Sequence, residues 1–221
     1  MIEAEHKVAV WDWPVRLSHW SFAILVLAMW YTAENGLWYW HTRLGVCLLG
    51  VLVFRLIWGF IGSRTARFSQ FVKGPSAILA YLRGNGEGKV GHSPLGALSV
   101  LALLGAMSVQ VGMGLFAGDP FDGATGPLNA LVGVATADML TEWHEVFYWA
   151  VLGMAGLHLL AIAFYAGAKH DDLVTPMVTG SREADADVEG NSGGSAVRFA
   201  IAFAMAAGIA GWVWLGAPPL G

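Results

Sequence analysis

The chain has 221 residues, of which 56% are hydrophobic and only 13% charged, with a formal net charge of −4. Soluble domains carry about 25% charged residues, so this chain lacks the polar surface that a water-soluble protein of its size needs. Its one cysteine excludes an intrachain disulfide, and the lack of a CxxCH motif excludes covalently attached c-type haem. Eleven tryptophans are typical of membrane–water interfaces. The composition therefore predicts a membrane protein with lipid, and no nucleic acid, as its partner.

Five apolar runs are long enough to cross a membrane, for which a helix needs about 20 residues. They are predicted at Leu17–Ala33, Thr42–Ile61, Leu95–Ala117, Trp143–Ala166 and Val197–Leu215. No short apolar core with a small-residue cleavage site precedes the first run. We therefore expect that run to act as its own uncleaved insertion signal.

Two further segments lie between the predicted spans. GPSAILAYLRG, at Gly74–Gly84, is too short to cross and predicts a surface helix. SREADADVEGNSGGS, at Ser181–Ser195, is acidic and rich in Gly and Ser, which predicts a flexible cytoplasmic linker. The predicted organisation is a four-helix domain at residues 1–178, a linker at 179–196, and an additional transmembrane helix with a short outer tail at 197–221.

The basic residues predict the orientation of the spans, because cytoplasmic loops carry an excess of Lys and Arg. The segments expected on one side contain Lys7, Arg16, Arg64, Arg67, Lys73, Arg83, Lys89, Lys169 and Arg182. The loop Gly118–Glu142 and the tail after Leu215 contain neither Lys nor Arg. This distribution places the N-terminus inside and the C-terminus outside.

Four histidines lie in or at the ends of predicted spans: His19, His41, His144 and His158. One intramembrane histidine is often explained by an interhelical hydrogen bond, but four together indicate a site. The predicted topology places His41 and His144 near the outer face, and His19 and His158 near the inner face. His144 and His158 lie about 21 Å apart on one helix and within roughly 40° of each other. The pattern predicts one pair at each depth.

Two imidazoles from facing helices are typical axial ligands of haem iron, and a helix bundle encloses the apolar porphyrin. Zinc fits less well, because two imidazoles leave its tetrahedral shell open. A proton relay does not require the histidines to form one pair at each of two depths. We therefore predict two bis-histidine haems b, an inner iron bound by His19 and His158 and an outer iron bound by His41 and His144.

Haem propionates need cations, and three arginines lie near the predicted ligands. Arg55 follows His41 by fourteen residues, which places it on a similar face at the inner depth. Burying it in a span is costly without an anionic partner. We rank Arg55 as the first candidate for a propionate contact, above Arg16 and Arg43.

Six stretches, in this order, resemble those of one family: WDWPVRLSHW, YWHTRLG, FRLIWGFIG, FSQFVKGPSAILAYLRG, GHSPLGALSVLALL and EWHEVFYWAVLGMAGLHLLAI. They are similar to the bacterial cytochrome b561 and nickel-hydrogenase b-type cytochrome family over about residues 8–178. The resemblance implies a four-helix, inner-membrane, di-haem cytochrome that exchanges electrons with quinone. It implies ligands on helices one, two and four, paired one with four and two with four. The predicted span Val197–Leu215 departs from the family pattern and contains no histidine.

The expected function is transmembrane electron transfer between the quinone pool and a partner redox protein. Quinone chemistry needs protons, for which His92 and Tyr81 near the inner haem and Glu142 and Glu145 near the outer haem are candidates. The outer loop is acidic, which favours a basic c-type cytochrome as partner; its acids are Asp119, Asp122, Asp138 and Glu142.

Three alternatives stay open. A superoxide:quinone oxidoreductase ranks second, because its anionic substrate favours a positive field and Arg43 is the only cation near the outer haem. The anchor subunit of a hydrogenase or other dehydrogenase ranks third. The last alternative is not an electron-transfer protein: it is a haem-free transporter or scaffold, whose histidines only hydrogen-bond to each other. The first two are quinone-linked electron-transfer activities, whereas the last uses no cofactor.

Overall fold

The computed structural model describes residues 6–84, 91–119, 124–184 and 189–219. Within these residues the chain forms eight α-helices: α1 (Trp13–Glu34), α2 (Trp38–Ile61), α3 (Phe68–Phe71), α4 (Pro75–Leu82), α5 (Pro94–Phe116), α6 (Val134–Ala168), α7 (Val174–Thr179) and α8 (Ala196–Trp214). The described strands are β1 (His6–Ala9), β2 (Gly118–Asp119), β3 (Ala124–Thr125) and β4 (Ser181–Ala184). β1 pairs antiparallel with β4, and β2 with β3. Lys89, Asp122 and linker residues 185–188 lie outside the described residues.

Four helices of the described chain are long and apolar enough to cross a membrane, namely α2, α5, α6 and α8. They correspond to the second to fifth predicted spans, so the chain is a mostly helical, multi-pass membrane protein. α1 covers the first predicted span, but Arg16, Ser18 and His19 make its first turns less apolar. The crossing by α1, and with it the orientation of the chain, stays a prediction.

Helix α6 begins well before the apolar run that it contains. It starts at Val134 rather than at the predicted Trp143 and runs for 35 residues. The amides of Thr136 and Ala137 bond to the Gly133 carbonyl, which begins the helix at this point. A helix needs only about 20 apolar residues to cross a membrane. The apolar run therefore predicts where the lipid-embedded part of α6 begins, but it does not predict where the helix itself begins. Asp138 and Glu142, predicted in a loop, are therefore helical.

The chain divides into two compact units. Unit 1 contains Met1–Leu17, Leu56–Ala102 and Gly156–Ile201, and unit 2 contains Ser18–Arg55, Leu103–Ala155 and Ala202–Gly221. The predicted inner-haem ligands are divided between the units, with His19 in unit 2 and His158 in unit 1, whereas the predicted outer ligands are both in unit 2.

The core of unit 1 is organised around Trp58, whose side chain is fully buried. Its indole N–H donates to Asp12 Oδ2 at 2.9 Å, and Asp12 Oδ1 accepts from the Val15 amide at 2.9 Å. Asp12 thus caps α1 and holds Trp58 at the same time. Phe199 of α8 lies 4.4 Å from the Trp13 ring and 6.3 Å from the Trp58 ring, between centroids. This aromatic contact fixes the start of α8 within unit 1.

The segment predicted as a flexible linker makes specific contacts in unit 1. β4 adds to β1 as a second strand. Asn191 accepts from the Thr65 amide, donates from its side chain to Ser63 Oγ, and donates from its own amide to the Ala9 carbonyl at 2.6 Å. Arg64 donates to Glu189 Oε2 at 2.8 Å. The Gly- and Ser-rich composition predicts flexibility, but it does not predict these hydrogen bonds, which depend on single side chains.

In unit 2, α8 packs through small residues. Ala202, Ala206 and Val213 are buried, and a Cβ placed on Gly50 of α2 would lie 3.5 Å from Ala210 Cβ. Small residues let the backbones of two membrane helices approach closely, which increases their van der Waals contact. The additional helix is therefore part of the packed structure of this unit.

The first prediction concerns the contacts of Asn191. Asn191→Ala removes two side-chain hydrogen bonds, each worth about 1 kcal/mol, so amide hydrogen exchange in residues 189–195 rises by about tenfold or more. Glu189→Gln is the matched control, because its side chain is 85% exposed and exposed ion pairs contribute about 0–1 kcal/mol. Exchange followed by mass spectrometry measures both. Unprotected amides at residues 189–195 of the unmodified chain would contradict the contacts of Asn191.

Candidate functional site

The two histidines predicted at the outer end meet in unit 2. His41 comes from the first turn of α2 and His144 from α6. Their ring centroids lie 6.2 Å apart and their planes stand at 89°. The two side chains therefore face each other with almost perpendicular rings.

The orientation of His144 is fixed by Gln110 on α5. His144 Nδ1 lies 2.9 Å from the Gln110 carbonyl oxygen, and Gln110 Nε2 donates to the His144 carbonyl at 2.9 Å. A carbonyl only accepts, so Nδ1 of His144 carries the hydrogen. In a neutral imidazole the other nitrogen, Nε2, then has the lone pair that a metal needs.

A glycine makes room for this ring. A Cβ on Gly114 would lie 2.7 Å from His144 Cε1, closer than such atoms approach in proteins. In an α-helix the amide of residue 114 points at the carbonyl of residue 110. The missing side chain at Gly114 therefore leaves the Gln110 carbonyl open to the imidazole.

His41 has an equivalent contact with α1. Its Nδ1 lies 3.2 Å from Thr32 Oγ1, and Thr32 is buried. A short connection brings the two together: Gly36 has φ +62° and its amide bonds to the Ala33 carbonyl, while the Leu37 amide bonds to the Thr32 carbonyl. This Schellman pattern ends α1 at a residue that adopts positive φ without strain.

The histidine pair fits a metal ion that binds two imidazoles and takes its remaining ligands from a cofactor. Metal–imidazole bonds are about 2 Å long, so one ion fits between rings whose centroids are 6.2 Å apart. Ligating histidines usually donate their second N–H to a neighbouring acceptor, as both rings do here. Among the described residues no group of three or more His, Cys, Asp or Glu side chains comes together as a metal site. Haem, whose porphyrin supplies four nitrogens, matches this donor set.

A family model described as prokaryotic cytochrome b561 matches residues 10–180. The chain belongs to the prokaryotic cytochrome b561 family. Membership confirms the resemblance seen in the sequence, makes the chain a membrane b-type cytochrome of electron transfer, and implies haem b. No curated protein and no solved structure matches the chain. The match ends before β4 and α8.

The second predicted pair of this cytochrome is not tested by the structure. His19 is on α1 in unit 2, where its ring lies 5.2 Å from that of Trp20. His158 is on α6 in unit 1. Both are half-buried. Their pairing around an inner haem stays a prediction.

The three predicted arginines differ in their surroundings. Arg55 is 5% exposed, which makes it the most deeply buried of the three. Arg16 packs against Gly180, where a Cβ would lie 2.7 Å from Arg16 Nη1. The guanidinium carbon of Arg43 lies 3.4 Å from the Tyr39 ring centroid and 5.1 Å from that of Trp214. Arg43 is thus held by cation–π contacts.

The predicted proton carriers also have defined contacts. In unit 1, His92 lies between Trp11 and Phe71, with centroid distances of 4.5 and 4.4 Å. The hydroxyls of Tyr81 and Tyr165 are 2.7 Å apart. In unit 2, by contrast, Glu142 and Glu145 are exposed on α6.

Sequence reasoning missed the three residues that hold the histidine pair: Thr32, Gln110 and Gly114. Gln110 carried a signal, because an amide side chain in an apolar run needs a hydrogen-bond partner. Thr32 and Gly114 carried none, since threonine and glycine are ordinary in membrane helices.

Gly114 gives the second prediction. In Gly114→Ala the new Cβ displaces the His144 ring, so the haem content per chain falls. Gly112→Ala on the same helix is the control, because no described atom lies within 4 Å of the Cβ it would add. Haem per chain, measured from the pyridine haemochrome spectrum, separates the two variants. Equal haem content in both would show that the ring does not lie against Gly114.

Proposed function

We propose that this cytochrome holds two haems b and transfers electrons across the bacterial inner membrane, between the quinone pool and a partner redox protein. The observation that carries the proposal is the facing pair of His41 and His144, each with Nδ1 already bonded to a neighbouring helix. Two such rings each offer Nε2 to one iron. Two neutral rings that both donate their Nδ1 hydrogen to a neighbouring helix keep only acceptor Nε2 atoms, so they cannot hydrogen-bond to each other.

The outer haem is bound by His41 and His144, and the inner haem by His19 and His158. When bound, haem supplies one-electron exchange at its iron. The protein's residues place the ligands, shield the site with apolar side chains and provide counter-charges for the propionates.

Arg16 and Arg55 are the residues we assign to propionates of the inner haem. Arg16 Nε is buried and has no hydrogen-bond partner among the described residues. A buried donor of this kind costs about 1–3 kcal/mol unless it is satisfied, and a propionate oxygen satisfies it. Arg55 is buried in an apolar helix, where a guanidinium is held by anions or backbone carbonyls, and a propionate is a ligand of this kind. Arg43 is already held by Tyr39 and Trp214, and we rank it last.

The orientation follows from the basic segments. With α1 as a first span, the N-terminus and the segments at 64–89 and 169–182 lie in the cytoplasm, and the C-terminus lies outside. The haem pair His41 and His144 is then the outer one. Quinone is the exchangeable substrate, and the bonded hydroxyls of Tyr81 and Tyr165 are the proton-carrying groups we assign to it.

The charge of unit 2 favours a cationic partner. Arg43 and Arg55 are its only cations, out of twelve Lys and Arg in the chain. Asp138, Glu142 and Glu145 are exposed on α6 at spacings of four and three residues, which places them on one helix face. A basic c-type cytochrome is attracted by this face, whereas superoxide is repelled by it. Superoxide oxidation therefore stays the second candidate.

The third prediction tests the haem sites. Reduced-minus-oxidised spectra and haem assays give two haems per chain in the unmodified protein. His41→Ala and His144→Ala lose the same haem, and His19→Ala and His158→Ala lose the other, because each variant lacks one of the two histidines that would hold that haem. His170→Ala, which changes an exposed histidine in a polar flank, retains both haems.

Loss in any other pairing would contradict the proposed ligand sets. A purified protein without an α-band near 560 nm would instead support the haem-free reading.

The fourth prediction tests the outer partner. Electron exchange with a basic c-type cytochrome slows by about three- to tenfold at low salt in the double variant Asp138→Asn with Glu142→Gln, since surface charge steers association. Adding 0.5 M salt removes most of the difference, because the Debye length falls to a few ångströms, about 4 Å. Glu183→Gln in β4 is the control and leaves the rate unchanged. A rate that is independent of salt in the unmodified protein would contradict electrostatic docking.

A further inference from the structure

We infer that Thr32 is a positioning residue for the outer haem: its hydroxyl accepts the Nδ1 hydrogen of His41 and thereby sets the ring orientation and the donor strength of that ligand. The inference rests on the proposed function, in which His41 is an axial ligand.

The direction of the hydrogen bond follows from counting hydrogens. Thr32 Oγ1 lies 2.8 Å from the Ala28 carbonyl and 3.0 Å from the Met29 carbonyl. Both carbonyls only accept, so the single hydroxyl hydrogen of Thr32 points at them. The oxygen of Thr32 therefore accepts from His41, and Nδ1 of His41 carries a hydrogen.

This contact makes the two ligands of one iron unequal. His144 donates to a backbone carbonyl, which no substitution removes. His41 donates instead to a side-chain hydroxyl, which a substitution can remove. A hydroxyl that has donated its own hydrogen to a carbonyl is a better acceptor, because hydrogen bonds in a chain polarise one another. The strength of the His41 ligand thus depends on one residue of α1.

The chemical consequence has a definite sign. A hydrogen bond from Nδ1 places more negative charge on the imidazole and makes Nε2 more basic, as outer-shell partners of metal ligands generally do. A more basic ligand stabilises ferric iron more than ferrous iron. Removing the Thr32 hydroxyl therefore raises the midpoint potential of the outer haem and weakens ferric haem binding.

The α1 helix then serves both proposed haems. It carries His19, the predicted ligand of the inner iron, and Thr32, thirteen residues later in the same helix. It supplies no ligand to the outer iron, so its effect there passes through His41 alone.

The test compares three variants of the haem-loaded protein in detergent. Thr32→Val keeps the shape and removes the hydroxyl, whereas Thr32→Ser keeps the hydroxyl. Ser108→Ala is the matched control, because Ser108 Oγ also donates to the carbonyl four residues before it, at 2.7 Å, on a membrane helix of unit 2. The measurements are redox titration, transfer of ferric haem to excess apomyoglobin, and the low-spin EPR signal, whose g values report the angle between the ligand planes.

We expect Thr32→Val to raise one of the two midpoint potentials, to speed transfer of that haem by about tenfold, and to shift its g values. Thr32→Ser and Ser108→Ala remain close to the unmodified protein. The second haem is unchanged in every variant, which shows that the fold is intact. If Thr32→Val gives no protein in the membrane, Thr32→Ala provides the same comparison.

A Thr32→Val protein indistinguishable from Ser108→Ala would overturn the inference and leave the proposed function standing. An unmodified protein without haem, or a His41→Ala variant that retains the outer haem, would overturn the proposed function itself.

Discussion

Hydrogen bonding of imidazole Nδ1 to a neighbouring helix is the interaction on which the site in unit 2 depends. A polar group in a membrane span costs several kcal/mol unless it is satisfied, so each ring nitrogen needs a partner from another helix. α5 provides one acceptor for His144 at the Gln110 carbonyl, and α1 provides one for His41 at Thr32. Once both Nδ1 atoms are occupied, both Nε2 atoms have lone pairs directed elsewhere. Helices α1 and α5, which carry neither His41 nor His144, thus decide which nitrogen of each imidazole keeps its lone pair.

The sequence was sufficient to predict the helical class, the last four spans and the meeting of His41 with His144. Depth along a span follows from the apolar pattern and the basic loops, and two histidines at one depth are expected to face each other. The supporting contacts could not be predicted in this way. They depend on the rotation of each helix about its own axis, and hydropathy does not define that rotation in helices that are apolar on all sides. The early start of α6 was missed for a related reason, because residues Val134–Glu142 are too polar for lipid yet continue the helix.

The segment after residue 180 lies beyond the family match, yet it is bound into both units. In unit 1, Asn191 bonds to three separate groups and Phe199 packs on Trp13 and Trp58. In unit 2, Ala210 of α8 packs close to Gly50. A Gly- and Ser-rich composition predicts flexibility because such residues bury little apolar surface. Individual hydrogen bonds to a neighbouring strand and turn are an exception that composition cannot anticipate. The additional helix is accordingly a constituent of the packed protein.

The different surroundings of the charged residues in unit 2 bear on which partner the proposed outer haem would meet. Arg43 lies on the Tyr39 ring and near that of Trp214, so its guanidinium is held by cation–π contacts and, among the described residues, is not paired with a carboxylate. Arg55 is buried and contributes little potential to the surface. The exposed acids on α6 have no such compensation from Lys or Arg of their own unit. The exposed acids on α6 therefore outnumber the one arginine of this unit that is not buried. An anion approaching the site would meet repulsion first, whereas a protein with a basic face would be steered toward the end of α6 that carries His144.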